Sequence, residues 1–98
     1  MTESPDRTHT VRIVYCTKCR WLLRAAWMAQ ELLTTFEQDL QQVCLCPGEG
    51  GRFEIFADQT RIWSRHDDGG FPEITLLKQK VRDIIAPEKS LGHADRKE

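Results

Sequence analysis

The sequence predicts a small α/β domain of two layers, a four-stranded mixed sheet with its helices packed on it, in the order β-α-β-β-β-α. Three observations carry this. A run rich in β-branched residues, Thr10–Tyr15, leads directly into a long amphipathic segment with no Gly or Pro. Two short apolar runs then follow a glycine-rich turn, and a second helically spaced segment closes the pattern at Pro87. A chain of 98 residues is the length of one small domain and leaves no room for a second lobe.

In the first strand Val11, Ile13 and Tyr15 share one face and Val14 adds an apolar contact on the other. Such a strand reads as buried on both sides with helices around it. From Arg20 to Glu37, at about 100° per residue, Trp21, Leu22, Ala25, Ala26, Met28, Ala29, Leu32, Leu33 and Phe36 form one broad apolar face. Leu23 and Trp27 stand on its polar side. Val43–Cys46 reads as a short second strand, stopped by Pro47-Gly48-Glu49-Gly50-Gly51. Phe53–Ala57 alternates and returns through Asp58-Gln59 into Thr60–Ser64, where Ile62 points inward and Arg61 and Trp63 read as ordinary strand residues with one half-exposed face. His66–Gly70 is a polar loop. Pro72 and Glu73 suit the start of a helix, in which Ile74, Leu77, Val81, Ile84 and Ile85 recur before Pro87 ends it.

A βαβ unit followed by a hairpin and a closing helix makes the first two strands parallel neighbours. It is the smallest form of the thioredoxin-like arrangement. Residues 10–86 are the expected domain, with 1–9 and 87–98 as flexible tails rich in polar and charged residues.

Composition excludes several functions. A net charge of −1 leaves no basic footprint for nucleic acid. No apolar stretch approaches a membrane span, and the first nine residues lack the apolar segment of a secretory signal, so a cytoplasmic location is expected. In that reducing compartment clustered cysteines bind metal or do redox chemistry more often than they form structural disulfides.

Cys16-Thr17-Lys18-Cys19 is the chemical centre. A Cys-x-x-Cys motif by itself is weak, because zinc sites share the spacing. Its expected place, between a buried strand and the N-terminus of the first helix, makes it specific. Unpaired N–H groups at a helix start favour an anion, and Lys18 adds a positive charge beside it. Thiols so placed reach pKa values of roughly 3.5–7.5, against about 8.5 for a free cysteine, which supplies the thiolate that thiol–disulfide exchange needs. Cys16 and Cys19 are therefore the expected catalytic pair, Thr17 and Lys18 their support, with glutathione or protein thiols and disulfides as partners, no cofactor and no metal. On the helix-end argument Cys16 attacks and Cys19 resolves.

The alternative is a non-enzymatic binding module. Cys16, Cys19, Cys44 and Cys46 could give zinc four thiolates, although the single residue between Cys44 and Cys46 is tighter than usual. Otherwise Leu23 and Trp27 could dock a partner. Cys44 and Cys46 read mainly as small buried apolar residues and secondarily as a further reactive thiol pair. His66 and Asp67-Asp68 read as a solvated loop, and His9 and His93 as tail residues without partners. The chain is expected as a monomer or weak dimer.

Three segments in order resemble the selenoprotein W-like (Rdx) family. VRIVYCTKCRWLLRAAWMAQELL is similar to the family's opening strand leading into Cys-x-x-Cys or Cys-x-x-selenocysteine, PGEGGRFEIF to its glycine turn and following strand, and DDGGFPEITLLKQKVRDII to the Gly-Gly-Phe-Pro-Glu loop and closing helix of bacterial members. The resemblance implies a thioredoxin-like fold and a thiol-based redox role. It matches Cys16 and Cys19 to the redox pair, with Cys19 where some members carry selenocysteine. Since selenocysteine is the stronger nucleophile, the resemblance assigns attack to Cys19, against the helix-end argument. Attack by Cys16 is the expectation carried forward.

Overall fold

The computed structural model describes residues 7–92. The chain runs β1 (His9–Cys16), α1 (Leu22–Thr35), β2 (Leu40–Gly48), β3 (Phe53–Ala57), β4 (Thr60–Ser64), α2 (Arg65–Asp68) and α3 (Ile74–Ile85). Four strands form one mixed sheet in the order β2-β1-β3-β4. β1 runs parallel to β2 and antiparallel to β3, and β3 pairs antiparallel with β4. A helical crossover is required to bring two parallel strands side by side, and α1 supplies it.

The helices cover one face only. α1 packs on β2 and β1, and α3 on β3 and β4. Alternation along β1 and β3 puts Val11, Ile13, Tyr15, Phe53, Ile55 and Ala57 on that face, all buried. Ala25, Met28, Leu32, Phe36, Leu77 and Val81 meet them from the helices. The expectation of helices around both faces of β1 is thus corrected. On the second face Val14 is buried, but Arg12 is exposed and lays its guanidinium over the Phe56 ring at 4.4 Å.

Helix α1 starts later than its periodicity suggested. Arg20 adopts a left-handed conformation with φ 63°, so the chain turns once more before Trp21 caps the helix. Leu22 and Leu33, expected inside, are 48% and 41% exposed. β2 is longer than expected and runs through Pro47 and Gly48. As an edge strand it tolerates a proline.

Three polar segments are more ordered than their composition implied. Residues 65–68 form a short helix in place of a loop. The Asp67 N–H donates to Ser64 Oγ, the Ser64 N–H to Asp68 Oδ2, and Gly69 ends the turn with φ 80°. Trp63, read as half-exposed, is buried, and its Nε1–H donates to the Gly70 carbonyl at 2.8 Å. His9, read as partnerless, opens β1 and bonds Asp58 Oδ2 through Nδ1 at 2.8 Å. Of the expected C-terminal tail, Leu91 packs against the core and the Lys89 carbonyl accepts from Arg82 Nη1. Residues 1–6 and 93–98, with His93, lie outside the described residues.

Candidate functional site: the Cys16–Cys19 loop

β1 ends at Cys16 and the next five residues form a compact turn. The Thr17 N–H donates to the Gly48 carbonyl at 3.2 Å, Arg20 N–H to Thr17 O, and Trp21 N–H to Cys16 O. These bonds fold Cys16 and Cys19 to a Cα–Cα separation of 5.4 Å, with their sulfurs at disulfide distance. The separation lies in the middle of the range for unstrained disulfides. Gly48 gives close approach where the loop meets β2, since a Cβ there would stand 2.9 Å from Val14 Cγ1 and force a shift.

The two sulfurs are not equivalent. Cys16, the last residue of β1, is 2% exposed, whereas Cys19, within the turn, is half-buried. The helix-end argument placed Cys16 as the more accessible thiol, and here the structure corrects it. A strand end carries Cys16 into the protein, and the left-handed Arg20 together with Trp21 separates Cys19 from Leu22, the first residue of α1. The N-terminus of α1 nonetheless has no side-chain cap and no acidic residue in its first turn, so no carboxylate there opposes the field of its free N–H groups.

An aromatic platform supports the loop, and sequence reasoning had not assembled it. Trp21, Phe53 and Phe71 meet edge to face, with centroids 4.9 to 6.2 Å apart. Arg24 lies over Phe71 at 4.0 Å and Arg65 over Trp21 at 5.0 Å. Each ring sits on a different segment, so no local pattern could have joined them. The signal available was Phe71 itself, an apolar residue between Gly-Gly and Pro. Beside the loop lies a groove of about 360 Å³ lined by Tyr15, Thr17, Arg20, Leu22 and Leu23. Lys18 is exposed, Leu23 is 82% exposed and Trp27 48%.

Cys44 and Cys46 are free thiols, half-buried on β2. They pair in register with Arg12 and Val14 and so share the sheet face away from the helices. Among the described residues no group of three or more His, Cys, Asp or Glu side chains is placed to hold a metal ion, so the four cysteines do not converge as the zinc alternative required. Asp67 and Asp68 serve Arg61 and the Ser64 backbone, apart from the cysteine loop.

A four-stranded mixed sheet with a Cys-x-x-Cys turn between its first strand and first helix defines a small thioredoxin-like protein. The comparisons carry this further. The model of the Rdx family matches residues 10–83, and the chain belongs to that family. A crystal structure of a selenoprotein W-related protein from Vibrio cholerae is similar, with 50% identity and a TM-score of 0.78 over 80% of this chain and 98% of that one. A crystal structure of a protein from Bordetella parapertussis shows 59% identity and a TM-score of 0.75 over 76% of this chain and 95% of the other. No curated protein matches. No helix among the described residues is long and apolar enough to cross a membrane.

Proposed function

We propose that this chain is a thiol–disulfide redox protein in which Cys16 and Cys19 cycle between disulfide and dithiol, and that Cys19 is the sulfur partners engage. The observation that carries the proposal is the asymmetry of the pair: two sulfurs at disulfide distance, one sealed at the end of β1 and one on a half-buried residue of the turn. An incoming thiolate attacks the sulfur it can reach. Attack on Cys19 Sγ breaks the Cys16–Cys19 bond, forms a mixed disulfide on Cys19 and releases Cys16 as a thiolate, which takes a proton. A second partner thiol then displaces Cys19, so two electrons enter the protein and the partner leaves as its disulfide. Microscopic reversibility makes Cys19 the attacking thiol and Cys16 the resolving one when the protein reduces a substrate. This reverses the order of the helix-end argument and agrees with the family resemblance.

Glutathione or protein thiols fit as partners. Lys18, exposed in the turn, and Arg20, on the groove wall, offer positive charge to a carboxylate-bearing thiol, while Tyr15, Leu22 and Leu23 give apolar contact. The exposure of Leu23 and Trp27 supports a docking surface beside the same site, so the adaptor reading becomes part of the redox one. The proposal is tested by trapping. Cys16→Ser should accumulate mixed disulfides through Cys19, and Cys19→Ser should accumulate few. A pair that stays reduced against every ratio of glutathione disulfide to glutathione would sink the proposal.

A further inference from the structure

The two edges of the sheet are built differently. The β4 edge is five residues long, carries Arg61 and is followed at once by α2. A register shift lies in its pairing with β3. These are the devices by which proteins keep edge strands from pairing with other chains. The β2 edge has nine residues, LQQVCLCPG, and no charge among them. Its one protective residue, Pro47, stands next to the end.

The helix above continues this uncharged surface. Glu31 pairs with Lys78 on the flank of α1 that faces α3. At about 100° per residue Leu22, Ala26 and Leu33 lie on the opposite flank, over the β2 edge. Leu22 and Leu33 are exposed, and so is Leu45, on the helix-covered face of β2. Three of the large exposed apolar side chains thus border the one edge that lacks charge.

We propose that this edge is a self-association surface, on which two copies pair β2 antiparallel about a dyad at Cys44. The occupant follows from symmetry and from backbone geometry. A two-fold axis sets like surface against like, which an uncharged edge permits and a charged one opposes. The Gly48 carbonyl accepts from Thr17 N–H on the β1 side. By alternation Cys44 and Cys46 also direct their backbone groups toward β1, leaving those of Val43 and Leu45, and the Pro47 carbonyl, pointing outward. Cys44 is the midpoint of Leu40–Gly48. A dyad there sets Val43 opposite Leu45 of the second copy, so the outward N–H and C=O groups of both meet as hydrogen-bonded pairs. Cys44 then faces Cys44 of the second copy in a non-hydrogen-bonded pair, where Cα atoms approach to about 4.5 Å.

The layer above also fits. With strands about 4.8 Å apart and α1 spread over β1 and β2, the two α1 axes stand roughly 10 Å apart, at the distance of packed helices. A strand edge about 30 Å long and two layers deep buries on the order of 600 Å² per copy, the low end for a stable complex, which makes the dimer concentration-dependent. The two Cys16–Cys19 loops stand at opposite ends of the joined sheet, both open.

Sedimentation equilibrium from micromolar to several hundred micromolar, under reducing conditions, tests the surface. The expected mass rises from one protomer toward two. Leu45→Lys should weaken self-association at least tenfold, while Trp27→Lys, on the outer face of α1, should leave it unchanged. A monomer at every concentration overturns the proposal, as does a dimer that Trp27→Lys dissociates and Leu45→Lys does not. A second measurement needs no edge substitution. On addition of glutathione disulfide, two Cys44 thiols, one from each copy, are oxidised to a disulfide while the reagent is reduced to two glutathione thiols. The linked dimer should survive Cys46→Ser and vanish in Cys44→Ser. A link that depends on Cys46 alone overturns the dyad.

Discussion

The molecule holds two pairs of cysteines close in sequence, and only one pair lies at disulfide distance. Cys16 and Cys19 are three residues apart in a turn, which brings their Cα atoms to 5.4 Å. Cys44 and Cys46 are two residues apart in a strand, and an extended backbone sets such residues about 6.6 Å apart with parallel side chains. That is near the upper limit for a disulfide, and both thiols are free. The difference teaches that backbone conformation, more than nearness in the chain, decides which cysteines act together. A turn aims two side chains at one point, and a strand aims them side by side at a neighbour.

The comparison can be broken at its strongest point first. Cys16→Ser or Cys19→Ser should abolish two-electron cycling against a glutathione buffer, a loss of at least a hundredfold in turnover, whereas the Cys44→Ser, Cys46→Ser double variant should keep the reduction potential of the native pair. Equal loss in both variants would remove the distinction. Next comes the platform under the loop. Phe53 is fully buried and meets both Trp21 and Phe71, so Phe53→Ala should cost about 3–5 kcal/mol in denaturant unfolding. Gly48→Ala acts where β2 touches the redox loop. The Cβ contact with Val14 must be relieved by a shift of backbone or side chain, at about 1–3 kcal/mol.

A smaller effect separates stability from function. Arg20 holds a left-handed backbone that costs a non-glycine residue about 1–2 kcal/mol. Arg20→Gly should stabilise the fold by up to about 1 kcal/mol, less the entropy of the freer unfolded chain, and should raise the KM for glutathione if the arginine meets a carboxylate. The smallest effect is a pH dependence far from both cysteine pairs. Burial acts to raise the pKa of Asp58, but the Thr10 N–H and the His9 side chain outweigh it and hold the carboxyl below its usual value of 3.8. A carboxylate held low stabilises the fold above its unfolded pKa, and this contribution disappears as pH falls below 3.8 and through the folded value. Asp58→Asn should flatten that acid limb and cost less than about 1 kcal/mol at neutral pH, the low end for an exposed hydrogen bond; urea midpoints at pH 7 and pH 3 measure both.

Much of this was legible from residue order alone. The alternation Val11-Ile13-Tyr15 and Phe53-Ile55-Ala57 gave two strands and the buried face they share, and the spacing of Ile74, Leu77, Val81 and Ile85 gave α3. The start of α1 was not legible, because periodicity reports which residues face alike and says nothing of a single left-handed residue such as Arg20. The ordering of residues 65–68 was hidden for a similar reason: a segment of His, Asp and Gly looks solvated until Ser64 and Trp63 supply the bonds that hold it. The exposure of Leu22 and Leu33 was missed because an apolar stripe was assumed to be fully covered, whereas α1 lies over β1 and β2, and β2 is an edge of the sheet.

Sequence by itself determined the order of the four strands and the two longer helices, the core face of β1 and β3, and the place of the Cys-x-x-Cys motif between strand and helix, because these depend on local spacing and on apolar burial. Tertiary structure alone decided which sulfur is sealed and which is open, since the burial of Cys16 comes from a strand end packed among neighbours distant in the chain. It decided as well that Trp21, Phe53 and Phe71 meet under the loop and that β2 is left as the uncharged edge. Which residues stand at an edge depends on strand order, a property of the assembled sheet that no single segment contains.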